Sequence, residues 1–303
     1  MYLLTNKKLK AFREKGILEF NELLNKNKCN KLYKKILNNR IWGKNLFKTE
    51  KNFLKNPQYR KTNPGKGKYN LAEKFDLSFI EKNKEIKRTL NKILGDEYDI
   101  VLKKFVVAVP EHWIPEWLKK KIKNSLAANL GPFIKKKYRD VTYFRGIDYH
   151  MDQIDFPNQT SDFITLYIYL NDTSLKMSPL NIIEKSHIFG ATVFPHVIKN
   201  SNNNNYLRYG KNLNKLKVFK KKKLIGKKGT VYIWTSLTLH GTQPQKREDE
   251  FRISLRYLVK KSPNCLKTTE IDNLIKNSST INKTRNDINF KNFKQIKFNK
   301  ILK

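Results

Sequence analysis

Two histidines and one aspartate have a spacing that suits a metal ion. His150 and Asp152 belong to the segment D-Y-H-M-D, and His240 follows 90 residues later in L-T-L-H-G-T. In an extended strand, residues i and i+2 point to the same side, so His150 and Asp152 can reach one ion together. Two imidazoles and one carboxylate leave three coordination positions open, an arrangement typical of non-haem iron(II) oxygenases. An H-x-D pair alone is weak evidence, and His150 could instead be a hydrogen-bonded or surface histidine.

An arginine follows the second histidine within an apolar strand. Arg252 stands twelve residues after His240, in E-F-R-I-S-L-R-Y. Strand alternation places Arg252, Ser254 and Arg256 on one face, and Phe251, Ile253 and Leu255 on the other. A cation among apolar strand residues needs an anionic partner. A dicarboxylic cosubstrate can supply that partner through a bidentate contact with the guanidinium.

The order of these motifs resembles that of a known family. The matching segments are F-R-E-K-G-I-L-E-F at 12–20, H-M-D at 150–152, F-I-T-L-Y-I-Y-L-N-D at 163–172, I-I-E-K-S-H at 182–187, and H-G-T with F-R-I-S-L-R-Y after it. Over roughly Leu9 to Val259, the chain resembles the phytanoyl-CoA dioxygenase family of Fe(II)/2-oxoglutarate oxygenases. It departs from the family pattern at Glu184-Lys185, where Pro-Gly is usual, at Gln245, and at 177–179. None of these departures touches the three metal residues or Arg252.

The resemblance implies a fold, a reaction and a set of site residues. The fold is mainly β with flanking helices, a double-stranded β-helix or cupin-like jelly roll. Fe(II) is held by His150, Asp152 and His240, which are the catalytic residues, and 2-oxoglutarate is bound by Arg252, with Thr242 and Tyr167 as further contacts. The reaction consumes O2, releases succinate and CO2, and hydroxylates a small organic metabolite or a lipid- or sugar-like substrate. Two alternatives stay open: an oxygenase that acts on nucleic acid, and a non-catalytic polyanion-binding protein of the same fold.

The remaining histidines carry weaker indications. His187 either lines the site or is a structural histidine at a strand end. His112, between Pro110 and Trp113, and His196, directly after Pro195, are interpreted as loop or packing residues.

The sequence pattern changes from helical to β-type near Asp140. Before it, Thr5 and Gly16 bound a first helix, and Asp76 and Gly95 bound a later one. After it, short β-type runs separated by turn residues favour an antiparallel barrel or sandwich. We therefore predict one oxygenase domain over residues 1–262, with a helical part at 1–95, a β-helix core at about 97–260 and a helical insertion at 115–136. Residues 263–303 form a Lys/Asn-rich C-terminal extension.

Composition limits the partners and the location. The net charge is +38, yet 53 lysines accompany only 11 arginines, 34 asparagines and 6 alanines, a pattern that codon bias explains without a polyanion partner. Base-reading proteins favour arginine, so a nucleic-acid partner is not expected and a small-molecule substrate is. No apolar run approaches the ~20 residues of a membrane span. Only Cys29 and Cys265 occur, which favours a reducing, cytoplasmic setting.

Overall fold

The helices flank the sheets and begin at capping residues. The computed structural model describes residues 4–55, 69–122, 129–276, 278–289 and 294–295. Thr5 accepts the Lys8 N–H at 3.2 Å before the first helix, which ends at Gly16 with φ 76°. The helices are α1 Asn6–Lys15, α2 Lys26–Leu37, α3 Glu50–Lys55, α4 Ser78–Glu81, α5 Lys84–Leu94, α6 Glu116–Lys121 and α7 Glu270–Ile275.

The helix predicted between Asp76 and Gly95 is divided in two. Asp76 does accept the Ser78 N–H at 2.8 Å, as a cap does. However, α4 stops at Glu81, and Asn83 accepts the N–H groups of Glu85 and Ile86 to begin α5. The asparagine side chain competes for the backbone and starts a new helix, which the apolar spacing alone did not reveal.

The described residues form fourteen strands. They are β1 Ile17–Phe20, β2 Tyr98–Ala108, β3 Thr142–Phe144, β4 Ile147–His150, β5 Phe163–Tyr169, β6 Leu180–Ile183, β7 Val197–Asn200, β8 Tyr206–Gly210, β9 Lys217–Leu224, β10 Val231–Thr235, β11 His240–Thr242, β12 Ile253–Lys261, β13 Ile288–Asn289 and β14 Lys294–Gln295. Two of them, β7 and β8, lie partly or wholly in the segment 199–215 that the sequence indicated as a loop. The first sheet has the order β1-β10-β5-β12-β2-β3, and the second has the order β4-β11-β6-β9-β8-β7. All pairings in both sheets are antiparallel except β2 with β3.

The first sheet separates two apolar layers because its residues alternate in direction. On one side, residues such as Phe105, Val107 and Ile253 pack against the helices. On the other side, Val106, Tyr167, Tyr169, Tyr232 and Trp234 meet Leu180, Ile182 and Leu224 of the second sheet. The space between the two sheets is therefore the interior of the jelly roll, and it is here that inward-facing polar residues can form a site.

The insertion predicted to be helical contains little regular helix. Within 115–136, the structure has α6 and a 3₁₀ turn at Gly131–Phe133, while residues 123–128 lie outside the described part of the chain. Pro132 lacks the N–H that an α-helix interior needs, so the chain adopts a short turn there instead.

The described part of the C-terminal extension packs against the β-helix. Ile271 in α7 is fully buried, and Glu270 forms an ion pair with Arg13 at 2.6 Å. Thr284 donates a hydrogen bond to the Ile154 carbonyl at 2.5 Å. Residues 277, 290–293 and 296–303 of the extension lie outside the described residues, and the domain boundaries stay a prediction. Among the helices that the structure describes, none is long and apolar enough to cross a membrane.

Candidate metal centre

Strand pairing brings the two predicted histidine ligands together. His150 is the last residue of β4 and His240 the first of β11, and the two lie opposite each other in the antiparallel register. Their ring centroids are 4.3 Å apart. Ninety residues of sequence separation are thus closed by the ladder between two neighbouring strands of the second sheet.

Asp152 joins the histidines by a different route from the one that the H-x-D spacing predicts. The strand ends at His150, and Asp152 opens a 3₁₀ turn at Asp152–Asp155, so the two residues do not share one extended strand. The turn still directs the carboxylate inward, where Asp152 is 4% exposed. Its Oδ1 lies 3.6 Å from His240 Nε2, and one possible ligand atom from each of the three residues lies within 4.8 Å of the others.

Backbone carbonyls orient both imidazoles for metal binding. His150 Nδ1 lies 2.8 Å from the Asp148 carbonyl, and His240 Nδ1 lies 3.0 Å from the Thr238 carbonyl. A carbonyl only accepts, so each Nδ1 carries the proton and each Nε2 keeps its lone pair free. Burial lowers the pKa of both histidines, and the neighbouring His240 lowers that of His150 further. Both rings are therefore neutral, which is the form that ligates a metal.

The Asp152 carboxylate is held by three donors from the first sheet. Thr165 Oγ1 and Trp234 Nε1 donate to Oδ2 at 2.6 and 3.2 Å, and Arg256 Nη2 donates to Oδ1 at 2.5 Å. Burial by itself would raise the pKa of Asp152, but the Arg256 charge and the two histidines outweigh it and the pKa falls below its usual value. The carboxylate is thus ionised and fixed in orientation, as a metal ligand should be.

Arg252 is a buried cation without a carboxylate partner. It is 1% exposed, its Nη1 donates to the Tyr167 hydroxyl and to Ser254 Oγ at 3.0 Å, and its Nε has no hydrogen-bond partner. Among the described residues, no acidic side chain forms an ion pair with it. A buried guanidinium that protein groups only partly satisfy is suited to bind an anionic ligand.

The other predicted contacts have different surroundings. Tyr167 faces inward from β5 and contacts Arg252 directly. Thr242 lies at the end of β11, and its Oγ1 is buried without a partner. The backbone instead holds His187 in position. Its Nε2 lies 3.0 Å from the Arg13 carbonyl, and its ring packs against Gly16. It is not part of the group that could hold the metal.

Several residues near the centre were not singled out by the sequence. Thr165 and Trp234 hydrogen-bond to Asp152, and alternation within β5 could have placed Thr165 beside Tyr167. His196 packs in a loop against Phe194, as expected. Burial is the main cause that lowers the pKa of His196 to about 3, so this imidazole is also neutral.

Comparisons with known proteins identify the same architecture. No family model matches the sequence, and no curated protein matches it significantly. Solved structures do match. The carbocyclase SnoK from nogalamycin biosynthesis, described as non-heme and alpha ketoglutarate dependent, has a TM-score of 0.51 and 12% identity, over 91% of this chain and 92% of SnoK.

Two further structures give similar values. The epimerase SnoN, in complex with Fe3+, alpha ketoglutarate and nogalamycin RO, has a TM-score of 0.50 and 9% identity, over 84% of this chain and 82% of SnoN. EvdO2 from Micromonospora carbonacea var. aurantiaca has a TM-score of 0.50 and 11% identity, over 88% and 94%. At such identities the likeness concerns the fold alone. It confirms the predicted jelly roll, whereas membership of the phytanoyl-CoA dioxygenase family stays a prediction.

Proposed function

We propose that the protein is an Fe(II)- and 2-oxoglutarate-dependent oxygenase that hydroxylates a small organic substrate and releases succinate and CO2. One observation carries the proposal. The space between the two sheets holds three possible metal ligands and also Arg252, a buried arginine that has no carboxylate partner among the described residues. The names of the similar structures SnoN and SnoK include the same cosubstrate, which adds support at the level of the fold.

His150, Asp152 and His240 would hold the metal. The donor set fits iron(II), because two neutral imidazoles with free Nε2 atoms and one ionised carboxylate form the face that non-haem iron enzymes use. When bound, the iron supplies the activation of O2 that no protein side chain can perform. The task of this chain is to keep the ligands in place, and Thr165, Trp234 and the Thr238 carbonyl do so from behind.

Arg252 would bind the distal carboxylate of 2-oxoglutarate. Its Nε lacks a partner, and the Tyr167 and Ser254 hydroxyls fix the guanidinium in one orientation. Thr242 Oγ1, which is also buried and unpartnered, would supply a further hydrogen bond. Tyr169, Tyr232 and Trp234 are buried in the same layer between the sheets, and charged contacts are stronger in such a low-dielectric interior.

Hydroxylation is the outcome that the ligand set favours. If Asp152 holds the metal, its carboxylate would take the position that a halide needs, so halogenation is disfavoured. Epimerisation and carbocycle formation are named for proteins of the same fold, SnoN and SnoK, so the fate of the oxidised substrate has to be measured.

The test is succinate release from 2-oxoglutarate with iron(II) and a panel of small metabolites, followed by mass spectrometry of products made under ¹⁸O₂. The proposal expects metabolite-stimulated succinate and one labelled oxygen atom in the product. Succinate formation without oxygen in the product would contradict hydroxylation but keep the cosubstrate. Absence of both iron binding and 2-oxoglutarate binding would refute the proposal.

A further inference from the structure

Lys104 is a lysine in the interior of the jelly roll. It lies in β2 and is only 2% exposed. Its strand neighbours Phe105 and Val107 pack outward with the helices, whereas Val106 faces the second sheet. Alternation therefore places Lys104 on the inward face with Val106.

The Lys104 ammonium differs from its neighbour in its contacts. Within the part of the chain that the structure describes, no hydrogen bond or ion pair reaches Lys104, whereas Lys103 pairs with Glu73 and Glu81 at 3.3 and 3.2 Å. A buried charge without a partner is strongly unfavourable. A bound ligand that supplies the missing partner would remove this cost.

A second cation stands directly across from it. Arg256 of β12 is paired with Lys104 in the antiparallel register, and residues in such pairs have Cβ atoms about 4.5–5.5 Å apart. One nitrogen of Arg256 binds the metal-ligand candidate Asp152, but its Nε has no partner. Burial, and then the charge of Arg256, lowers the pKa of Lys104 to about 7. An anion between the two cations would offset both the burial of the Lys104 charge and its repulsion by Arg256.

The charges in this interior do not balance. Among the described residues, Asp152 is the carboxylate that forms an ion pair with one of the three cations Lys104, Arg252 and Arg256, whereas Asp155, which also acts on the Lys104 charge, is paired with Arg285 at 3.0 Å. A divalent metal and a doubly charged 2-oxoglutarate cancel each other, so positive charge remains after both have bound. The two carboxylates of 2-oxoglutarate are already assigned to the metal and to Arg252. An anion of another origin would neutralise the remaining positive charge.

Building on the proposed function, we propose that Lys104 and Arg256 bind an anionic group of the primary substrate beside the metal centre. The substrate would be a small organic acid whose carboxylate or phosphate lies between the two side chains. The Arg256 Nε and the Lys104 ammonium would donate to it, while Arg256 keeps its contact with Asp152.

Calorimetric titration tests this assignment. Protein loaded with Mn(II) and saturating 2-oxoglutarate is titrated with acetate and with inorganic phosphate, and the stronger of the two shows which anionic group fits. We expect saturable binding that Lys104→Met weakens by about tenfold or more, equivalent to the loss of about one charged contact. Lys104→Arg should recover part of the affinity. Lys223→Met, which removes the same charge from an exposed position in β9, should leave it unchanged.

Titrations of Mn(II) and 2-oxoglutarate in the same series separate the two proposals. One outcome overturns the substrate assignment and leaves the proposed function standing. In it, Mn(II), 2-oxoglutarate and the anions all bind Lys104→Met with the affinity that they have for the wild type. The substrate assignment is equally overturned if acetate and phosphate compete with 2-oxoglutarate, or if Lys104→Met weakens 2-oxoglutarate. If the wild type binds neither Mn(II) nor 2-oxoglutarate, the proposed function fails first.

Discussion

The two faces of the first sheet hold their cations in different ways. On the outer face, Lys103 of β2 lies between the carboxylates of Glu73 and Glu81, and Glu81 also accepts the Tyr257 hydroxyl at 3.1 Å. On the inner face, Lys104 of the same strand has no acidic partner among the described residues, and neither has Arg252.

The contrast separates charges that are paired within the chain from charges that we propose bind a ligand. A cation at the edge of the helical layer is partly solvated and is paired within the chain, so it contributes to the fold. A cation buried between the sheets without a carboxylate reduces the free energy of unfolding until an anion binds. Substitutions on the outer face should therefore alter stability, and substitutions on the inner face should alter binding.

The largest effect is expected from removal of a metal-ligand candidate on the inner side. His240→Ala should weaken iron(II) binding by more than about 100-fold and remove turnover, since even the loss of an outer-shell partner costs 10- to 100-fold. Equilibrium dialysis with iron analysis measures the affinity. His112→Ala, which removes an exposed imidazole, is the control and should bind like the wild type. Wild-type stoichiometry and activity in His240→Ala would refute the ligand assignment.

The next effect concerns the unpaired arginine. Arg252→Ala should raise the KM for 2-oxoglutarate roughly ten- to a hundred-fold, because a charge-assisted contact contributes about 1.5–3 kcal/mol. Arg252→Lys should recover only part, since an ammonium cannot match the planar guanidinium. Iron binding should survive in both variants.

Arg247→Ala is the matched control, because Arg247 is only half-buried and is paired with Asp249 and Glu250 at 2.7 and 3.2 Å. Steady-state kinetics with varied 2-oxoglutarate measures the KM of each variant. If Arg256→Ala produced the cosubstrate defect while Arg252→Ala behaved normally, the inner cation assigned to the cosubstrate would be the wrong one.

A smaller effect is expected on stability at the inner lysine, and it depends on pH. The pKa of Lys104 is about 7 in the folded protein, whereas an unfolded lysine has a pKa of about 10.4. Between these values the unfolded chain binds more protons, so this residue makes stability rise with pH, by about 1.4 kcal/mol per unit at most. The destabilisation is absent above the unfolded pKa, grows as pH falls, and is complete below about pH 7.

Lys104→Met removes that dependence. In metal-free protein, the variant should be more stable than the wild type near pH 7, and the difference should shrink toward pH 10. Urea unfolding at several pH values measures it. A difference that stays constant with pH would mean that the Lys104 charge is not desolvated in the folded protein.

The smallest effect belongs to the outer face. Lys103→Met should lower the free energy of unfolding by about 0.5–1 kcal/mol, because its two ion pairs are partly exposed. The affinities for iron(II) and 2-oxoglutarate should not change. A loss of 2-oxoglutarate binding in this variant would erase the distinction between the two faces.

The sequence by itself determined the elements and the types of chemical group. The strands β5, β6, β9, β10 and β12 follow from short β-type runs between turn residues, and the ends of α1 follow from Thr5 and Gly16. The residue types histidine, aspartate and arginine, at their spacing, predict a metal and a dicarboxylate. The inferences about the elements succeed because side-chain direction and capping depend on a few neighbouring residues.

Only the tertiary structure decided which groups meet. The turn that carries Asp152 out of the strand, the donors Thr165 and Trp234, and the pairing of Lys104 with Arg256 all arise from contacts between distant segments. Local sequence says that Lys103 and Lys104 are two adjacent lysines. Which of them finds carboxylates and which faces the metal centre depends on the packing of the helices and the second sheet against the two sides of β2.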